Sequence, residues 1–386
     1  MTFRNFSFEP AQLPSNAVEL RHEVREFLKE EIAAGTFTPD SHGWARTNSV
    51  FSQKIGARGW IGMTWPKRYG GHERHALERY VVTEELLVGG APVRGHWTAD
   101  RQTGPLILEF GTEAQRLRFL PEIAAGRCNI AIGLSEPDSG SDLAAIRTKA
   151  VKDEGGWRIN GRKVWTSNAH NAQFMTAFVR TSSDSESRHA GVSRFMIDMT
   201  WKGITVRPII NMIGEHDLNE ITFDDVYVPD DMMIGEAGGA WKQIGTELTH
   251  ERSAPDRWLA SHDLLLRVID KIGVDSDSSQ CIALGRAIAH LWTLQNMSIS
   301  IAGMLERGQN PSFEASIVKD LATHYDQDIP KLARDVVSES ARALLPLNDG
   351  YEASLCYNLL YSPALTIKGG TQEILRNNIA RGLGLR

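Results

Sequence analysis

The sequence has few cysteines and no long hydrophobic run. Its three cysteines, Cys128, Cys281 and Cys356, lie far apart and form no Cys-x-x-Cys pair. This spacing excludes a disulfide framework and a cysteine-based zinc site, and it suits a reducing compartment. No window approaches about 18 consecutive apolar residues, so no transmembrane helix is expected. The first residues carry no secretory cleavage signal, and we therefore expect a cytoplasmic protein.

Positive charge is also not in excess, since 42 Lys and Arg residues stand against 48 Asp and Glu residues, for a net charge of −6. A general nucleic-acid binder normally has a basic face, so this balance argues against that class. The phosphate-binding patterns GxGxxG and GxxxxGK[ST] are absent as well. What remains is an ordinary globular composition, with 41% hydrophobic and 23% charged residues over 386 positions. That length suggests two or three domains.

The order of the predicted elements indicates an α+β multidomain fold. Helical periodicity runs through an N-terminal domain (1–128), strand patterns fill a middle β domain (129–236), and long helical runs make up a C-terminal bundle (237–386). The Asn160-Gly161 pair predicts a tight hairpin with 162–167 as its return strand. Another strand is expected over 174–180, and helices over 239–272, 280–307, 312–345, 351–361 and 371–383.

Two segments of the middle domain carry candidate ligand-binding groups. The stretch LSEPDSGSD (134–142) is either a surface turn or a loop whose hydroxyls and backbone amides hold a ligand. In KVWTSN (163–168), Trp165 and Ser167 would share one face of a strand. They could stack on a planar ring and hydrogen-bond its edge, or they could be a buried Trp with a neighbouring Ser.

Two further segments lie in the C-terminal domain. Glu251-Arg252 is either a solvated helical face or a base beside a cation for an anionic ligand. The stretch KGGTQEILR (368–376) indicates a turn followed by a helix with Thr371 as its N-cap. Helix N-termini also bind anions and carbonyl oxygens.

In their order and spacing these segments resemble the acyl-CoA dehydrogenase family over nearly the whole chain. The resemblance includes PKRYGG (66–71), LPEIAAGRCNIAIGLSEPDSGSD (120–142), GRKVWTSNA (161–169), DVYVPDDMMIG (225–235) and GGTQEILRNNIARGLGL (369–385). It implies an N-terminal helical domain, a middle β-barrel-like domain and a C-terminal four-helix bundle. It also implies FAD as cofactor, an acyl-CoA thioester as substrate and an electron-transfer flavoprotein as electron acceptor.

The resemblance assigns a role to each matching residue. Leu134 and Ser135 would approach the pyrimidine side of the flavin, Trp165 would lie against the isoalloxazine, and Ser167 would hydrogen-bond near N5. Ser141 would touch the pantetheine part of CoA, and Thr371 would contact the flavin nucleotide.

The chain departs from the family at the base. The commonest pattern places the catalytic Glu where this chain has Gly369, and glycine cannot accept a proton. A minority of the family places its Glu directly before an Arg on a helix of the C-terminal domain. On that pattern Glu251 is the base, Arg252 contacts CoA, and Gly369 or a neighbouring backbone group polarises the thioester carbonyl. The rival Glu373 is interpreted as structural.

A second departure concerns assembly. In family homotetramers, two motifs bind the ADP half of a neighbour's FAD: Arg-x-x-Phe-Gly and Gln-x-x-Gly-Gly-x-Gly. Neither is visible in this sequence, and the stretch 343–350 is ALLPLNDG where the glycine-rich motif would lie. This resembles heteromeric acyl-CoA dehydrogenases of steroid side-chain degradation, so we expect an α2β2 assembly with a second dehydrogenase-like subunit, the alternative being a homo-oligomer. Two other functions stay open: a non-catalytic subunit, and a flavin oxidase or monooxygenase on the same fold.

Overall fold

The computed structural model describes residues 6–40, 42–182, 187–244, 254–274, 277–337 and 350–385. These residues form two compact units. The helical unit consists of the described parts of 1–44, 75–91 and 252–386, and the sheet unit of the described parts of 45–74 and 92–251. Each unit therefore draws on more than one stretch of the chain.

Amphipathic helices build the helical unit around a main apolar core and a smaller cluster formed by Ile301, Ala315 and Val318. Their bounds are Ala17–Ala33, Ala76–Val88, His262–Ile272, Ser278–Glu306, Ser312–Val336, Tyr351–Tyr361 and Gln372–Gly382. Fully buried side chains from four of these helices, including Leu264, Leu294, Ala322 and Leu355, meet in the core. Burying such faces removes apolar area from water and is the main source of stability for helices of this kind.

The sheet unit combines helices with one mixed sheet. Its helices are Ser49–Ala57, Arg94–Thr98, Gly104–Phe110 and Glu113–Ala124, and a π-helical turn at Ala99–Thr103 joins the second to the third. Its strands are β1 (Ile130–Gly133), β2 (Lys149–Asp153), β3 (Gly156–Ser167), β4 (Phe174–Arg180), β5 (Val192–Asp198), β6 (Ile204–Ile210), β7 (His216–Pro229) and β8 (Met233–Ile234). Helices before and after a central sheet confirm the predicted α+β class. The domain boundaries near 128 and 236 stay a prediction.

The described strands lie in the order β6-β7-β3-β2-β4-β5-β8. β3 is antiparallel to both β2 and β7, and β1 joins β4 in parallel with Ile130 opposite Phe174. The long strand β3 therefore lies inside the sheet, close to the carboxyl end of β1.

The hairpin predicted at Asn160-Gly161 is wrong. β3 runs without interruption from Gly156 to Ser167, and the turn lies earlier, at Glu154-Gly155, between β2 and β3. Asn160 instead accepts a hydrogen bond from the Asp225 amide at 2.9 Å. Gly161 is needed for space, since a Cβ there would lie 2.5 Å from Thr148 Oγ1. The pair therefore marks a close backbone approach rather than a turn.

The continuous helix predicted over 239–272 is also wrong. After a helical stretch at 240–244 and an undescribed stretch, the chain forms a 3₁₀ turn at Pro255–Arg257 and begins a new helix only at His262. Pro255 lacks an amide hydrogen, and its ring disfavours a helix interior, so a helix break is favoured here. By contrast, the predicted strand at 174–180 and the predicted helix at 351–361 are confirmed.

Within the described parts of the chain, no helix combines the length and the apolar character that crossing a membrane requires.

A buried carboxyl links two helices of the helical unit. Asp326, in helix Ser312–Val336, is 1% exposed, and its Oδ1 accepts hydrogen bonds from the Ser261 amide (3.0 Å) and hydroxyl (2.6 Å). Burial raises the pKa of Asp326 to about 7, and the hydrogen bonds from Ser261 and the charge of Lys319 only partly oppose that rise. The folded protein therefore holds a proton here that an unfolded Asp releases near pH 4.

We predict that Asp326→Asn removes a pH-dependent part of the free energy of unfolding. Because the folded pKa is raised, the stability due to protonated Asp326 is fully present below about pH 4 and is lost as the pH rises through about 7. The difference in unfolding free energy between wild type and variant should fall by roughly 4 kcal/mol across that window. Urea midpoints from pH 4 to pH 8 measure it. Asp328→Asn, at an exposed carboxylate on the same helix, is the control, and parallel curves for wild type and Asp326→Asn would contradict the prediction.

Candidate functional site

The loop after β1 is bonded directly to β3. The Val164 amide donates to the Ser135 carbonyl at 2.9 Å. Directly after Ser135, Glu136 and Ser139 exchange backbone hydrogen bonds of 2.9 and 3.0 Å, and the Ser139 hydroxyl donates to the Asp142 carbonyl. The segment 134–142 is therefore a folded loop with its own internal bonds, and its first residues lie against β3.

A buried ion pair joins the same two segments. Lys163 is 0% exposed, and its Nζ donates to Glu136 Oε1 at 2.8 Å and to the Leu134 carbonyl at 3.0 Å. The Glu136 carboxylate also accepts hydrogen bonds from the amides of Arg147 (2.6 Å) and Thr148 (2.9 Å).

Both members of this pair are charged near pH 7. Burial lowers the pKa of Lys163 to about 8, and attraction to Glu136 opposes that shift. Burial alone would raise the pKa of Glu136, but attraction to Lys163 and the hydrogen bonds that it accepts outweigh burial and lower it. Both residues lie within motifs described above, but no role was predicted for either of them. A Lys at an inward strand position was the signal that could have revealed the pair.

Trp165 occupies a β-bulge in β3. The pairing with β7 passes from Lys163–Ile221 to Thr166–Asn219, so β3 carries one extra residue. Trp165 has φ of +59°, a left-handed conformation that a bulky residue rarely adopts. Its indole is 58% exposed, whereas Thr166 is fully buried. The exposed indole excludes the alternative of a buried Trp, and its direction follows from the bulge rather than from strand alternation.

Buried amide side chains hold the chain after the bulge. Asn219 is fully buried, and its Nδ2 donates to the Thr166 carbonyl at 2.9 Å. Asn168 has φ of +58°, and its Oδ1 accepts hydrogen bonds from Thr47 Oγ1 (3.0 Å) and Asn171 Nδ2 (2.9 Å). Asn tolerates the left-handed region better than most residues. Ser167 lies half-buried between these anchors, opposite Leu218.

Ser141 is exposed on the same unit. Its neighbour Asp142 pairs with Arg188 at 2.5 Å on the protein surface. The sheet unit thus brings the backbone of Leu134 and Ser135 to the strand that carries Trp165 and Ser167. Their contacts to a ligand stay predictions.

The helical unit carries the other predicted segment. Gly369 and Gly370 have φ of +68° and +99°, and Thr371 caps the final helix by accepting a hydrogen bond from the Ile374 amide at 3.4 Å. This confirms the predicted turn and N-cap. Glu373 is exposed, and hydrogen bonds from its own amide and from Thr371 lower its pKa. A lowered pKa is the wrong direction for a base that must take a proton near neutral pH.

The sequence analysis predicted no role for Lys368, which directly precedes Gly369. Its Nζ lies 4.5 Å from the ring centroid of Trp44 and 4.6 Å from that of Tyr361, and it donates to the Tyr361 hydroxyl. Two aromatic rings around one ammonium form a cation–π contact, which holds the chain just before the glycine pair.

The predicted base and its neighbour, Glu251 and Arg252, lie outside the described residues, as does most of the 343–350 stretch.

Family models place the whole chain in one family. The acyl-CoA dehydrogenase N-terminal domain matches residues 15–127, the middle domain residues 131–226, and the C-terminal domain residues 232–384. The chain therefore belongs to the acyl-CoA dehydrogenase family, which is a family of oxidoreductases.

Individual relatives agree with this placement. Acyl-CoA dehydrogenase IpdE1 of Mycobacterium tuberculosis is 31% identical over 380 residues, which cover 95% of this chain and 97% of the relative. Acyl-CoA dehydrogenase FadE34 of the same organism is 34% identical over 330 residues, which cover 83% of this chain but only 44% of that longer protein.

Among solved structures, the Tcur3481–Tcur3483 steroid ACAD is similar at 26% identity with a TM-score of 0.85, covering 98% of this chain and 99% of its own. The ChsE4–ChsE5 complex from Mycobacterium tuberculosis is similar at 28% identity with a TM-score of 0.84 and the same coverage.

The family implies FAD, and the sheet unit has the groups that a flavin ring would need. Trp165 presents a flat aromatic surface to solvent from a constrained backbone, and aromatic rings stack on planar π-systems. Beside it, the chain at Leu134 and Ser135 is fixed to β3. An exposed aromatic surface beside a fixed backbone segment is therefore compatible with the planar ring of this cofactor, and the contacts of Trp165, Ser167, Leu134 and Ser135 to the ring stay predictions.

We predict that Trp165→Gly is more stable than Trp165→Ala by about 1 kcal/mol in free energy of unfolding, because only glycine adopts φ of +59° without a penalty. Both variants remove the same exposed ring, so their difference isolates the backbone. Urea midpoints measure it. As a control, the same two changes at Trp292, exposed in helix Ser278–Glu306, should give the opposite order, since glycine destabilises helix interiors. Equal midpoints for the two Trp165 variants would contradict a constrained bulge.

Proposed function

We propose that this chain catalyses the FAD-dependent α,β-dehydrogenation of an acyl-CoA thioester as a cytoplasmic enzyme. The observation that carries the proposal is the exposed Trp165 in its bulge, one residue from the bond between Val164 and the Ser135 carbonyl. Membership of the acyl-CoA dehydrogenase family supports the reaction class. Bound FAD would supply a hydride acceptor for the β-carbon, and an electron-transfer flavoprotein would take up the electrons.

The residues of this chain then act on the proton and the thioester. Glu251 removes the α-proton, and Arg252 contacts the CoA moiety, as does Ser141. An α-C–H bond is only weakly acidic, so a backbone amide near Gly369 polarises the thioester carbonyl. Such a preorganised donor contributes on the order of 3–4 kcal/mol to transition-state stabilisation. Thr371 supports the flavin nucleotide, and a carboxylate base for this step needs a pKa raised toward neutrality.

The assembly that we propose is an α2β2 heterotetramer with a second dehydrogenase-like subunit. The absence of both ADP-site motifs from the sequence supports it. The similar ChsE4–ChsE5 complex and the similar Tcur3481–Tcur3483 steroid ACAD each carry two subunit names. The substrate class that we propose from the resemblance to these heteromeric proteins is a bulky polycyclic acyl-CoA of the steroid side-chain type, in lipid degradation.

We predict that Glu251→Gln retains FAD and loses turnover by a factor of at least about 100, since a carboxamide cannot accept the α-proton. The measurement is anaerobic bleaching of bound FAD by a panel of acyl-CoAs. Glu373→Gln, at an exposed carboxylate on the final helix, is the matched control and should bleach at the wild-type rate. Retained bleaching in Glu251→Gln would reject the base.

We also predict that the isolated chain carries substoichiometric FAD and that co-expression with a partner subunit encoded nearby raises the FAD content of the complex. The physical reason is that the sequence lacks the motifs that hold the ADP half. Flavin absorbance per protomer and the mass of the complex measure this. Full FAD occupancy in the isolated chain would overturn the heteromeric assembly.

A second candidate function is a non-catalytic subunit, favoured by Gly369 in place of the usual Glu. The acyl-CoA panel separates the two, because a non-catalytic chain gives no bleaching when the partner's own base has been removed. Rapid reoxidation of the bleached flavin by oxygen, without an electron-transfer flavoprotein, would instead indicate an oxidase or monooxygenase.

A further inference from the structure

The proposed mechanism leaves one buried charged pair unused. Lys163 is fully buried, and Glu136 is 7% exposed. Removing two charges from water is costly, and a buried ion pair often stabilises a fold no better than apolar residues of similar volume. The contacts that this pair makes are therefore more informative than its contribution to stability.

The contacts of the pair converge on one place. The Lys163 ammonium divides its donors between Glu136 Oε1 and the Leu134 carbonyl. The Glu136 carboxylate binds the amides of Arg147 and Thr148, directly before β2. One pair thus ties together the chain after β1, the entry to β2 and the middle of β3.

The route of the lysine side chain is equally confined. A Cβ added at Gly133, the last residue of β1, would lie 3.2 Å from Lys163 Cγ and 2.2 Å from Met175 Cε. The absence of a side chain at Gly133 therefore lets the Lys163 stem pass beside β1 and deliver its ammonium to the next carbonyl.

The residues that this pair fixes include the proposed ring contacts. Lys163 holds Leu134, the neighbouring Val164 amide holds Ser135, and Trp165 follows directly in the bulge. Trp165 has no paired residue in β7. The direction of its indole therefore depends on the contacts on either side of it, namely the buried Lys163 before it and the hydrogen bond from Asn219 to Thr166 after it.

We propose that Lys163 and Glu136 are positioning residues that fix the Leu134–Ser135 backbone relative to the Trp165 indole and thereby set the affinity for the flavin ring. The inference rests on the proposed FAD site. Neither residue is a catalytic residue, since each acts through the chain segments that it holds.

The test uses the double variant K163M/E136Q, in which both charges are gone. Either single variant leaves one buried group without its partner and should lower the unfolding midpoint, whereas the double variant should recover most of that loss. In E136Q the remaining carbonyl oxygen can still accept from the Thr148 amide, but an NH2 group takes the place of the Oε2 that accepts from the Arg147 amide. E136Q alone serves as the second variant.

Two readouts separate positioning from stability. Hydrogen–deuterium exchange of the apoprotein should quicken at 134–136 and 162–168 in K163M/E136Q, and also at the 147–148 amides that Glu136 binds, and stay unchanged elsewhere. Titration of FAD into the apoprotein, prepared with its partner subunit if the isolated chain retains no flavin, should show about a tenfold or greater rise in Kd. The flavin absorption spectrum should shift as the ring environment loosens.

The matched control is K152M/D230N, which removes an exposed ion pair of the same unit and should leave exchange in both segments and FAD affinity unchanged. Wild-type exchange and FAD affinity in K163M/E136Q would overturn the positioning role. Loss of the folded state in both E136Q and the double variant would assign the pair to stability and overturn it as well. Failure of the wild-type protein to bind FAD would instead reject the proposed function, and that result is distinct because exchange in the apoprotein needs no FAD.

Discussion

The candidate site in the sheet unit depends on one irregularity, the left-handed residue at Trp165. A left-handed L-residue costs roughly 1–2 kcal/mol, and such a conformation persists only where neighbouring contacts determine it. Here the determining contacts lie on both sides: Lys163 is buried before the bulge, while Asn219 and Asn168 bond the chain after it. The indole is exposed, but its support is buried. Buried contacts that hold the backbone beneath an exposed aromatic ring preorganise that ring for binding another planar ring.

Sequence patterns predicted the regular parts of this architecture. Strand 174–180 and helix 351–361 follow from periodicity because tertiary packing reinforces local preference there, and the N-cap at Thr371 follows from its position after two glycines. The Asn160-Gly161 hairpin failed because a non-local contact, the approach of Thr148, required the glycine. The continuous helix predicted over 239–272 is wrong because the prediction followed the apolar periodicity and gave no weight to Pro255, which begins a 3₁₀ turn.

The site itself was predictable only as a set of segments. The resemblance identified Trp165, Ser167, Leu134 and Ser135. The strand pattern, however, predicted a regular β3 and gave no sign of the bulge. The ion pair of Lys163 with Glu136 joins residues 27 positions apart in the chain, and no local pattern connects them. Pairings across such separations depend on the sheet order, in which β1 is parallel to β4 and β3 lies close by.

The same reasoning bears on Gly369. Its φ of +68°, followed by +99° at Gly370, is a backbone that favours glycine and that would strain a glutamate at this position. Relocating the base is therefore consistent with the local geometry of the turn, whereas the exposed Glu373, with its lowered pKa, is a poor substitute. Our proposal assigns the flavin ring face to the sheet unit and the role of proton acceptor to Glu251. The ADP half of the cofactor has no matching motif in this sequence, which is why a second subunit belongs in the proposal.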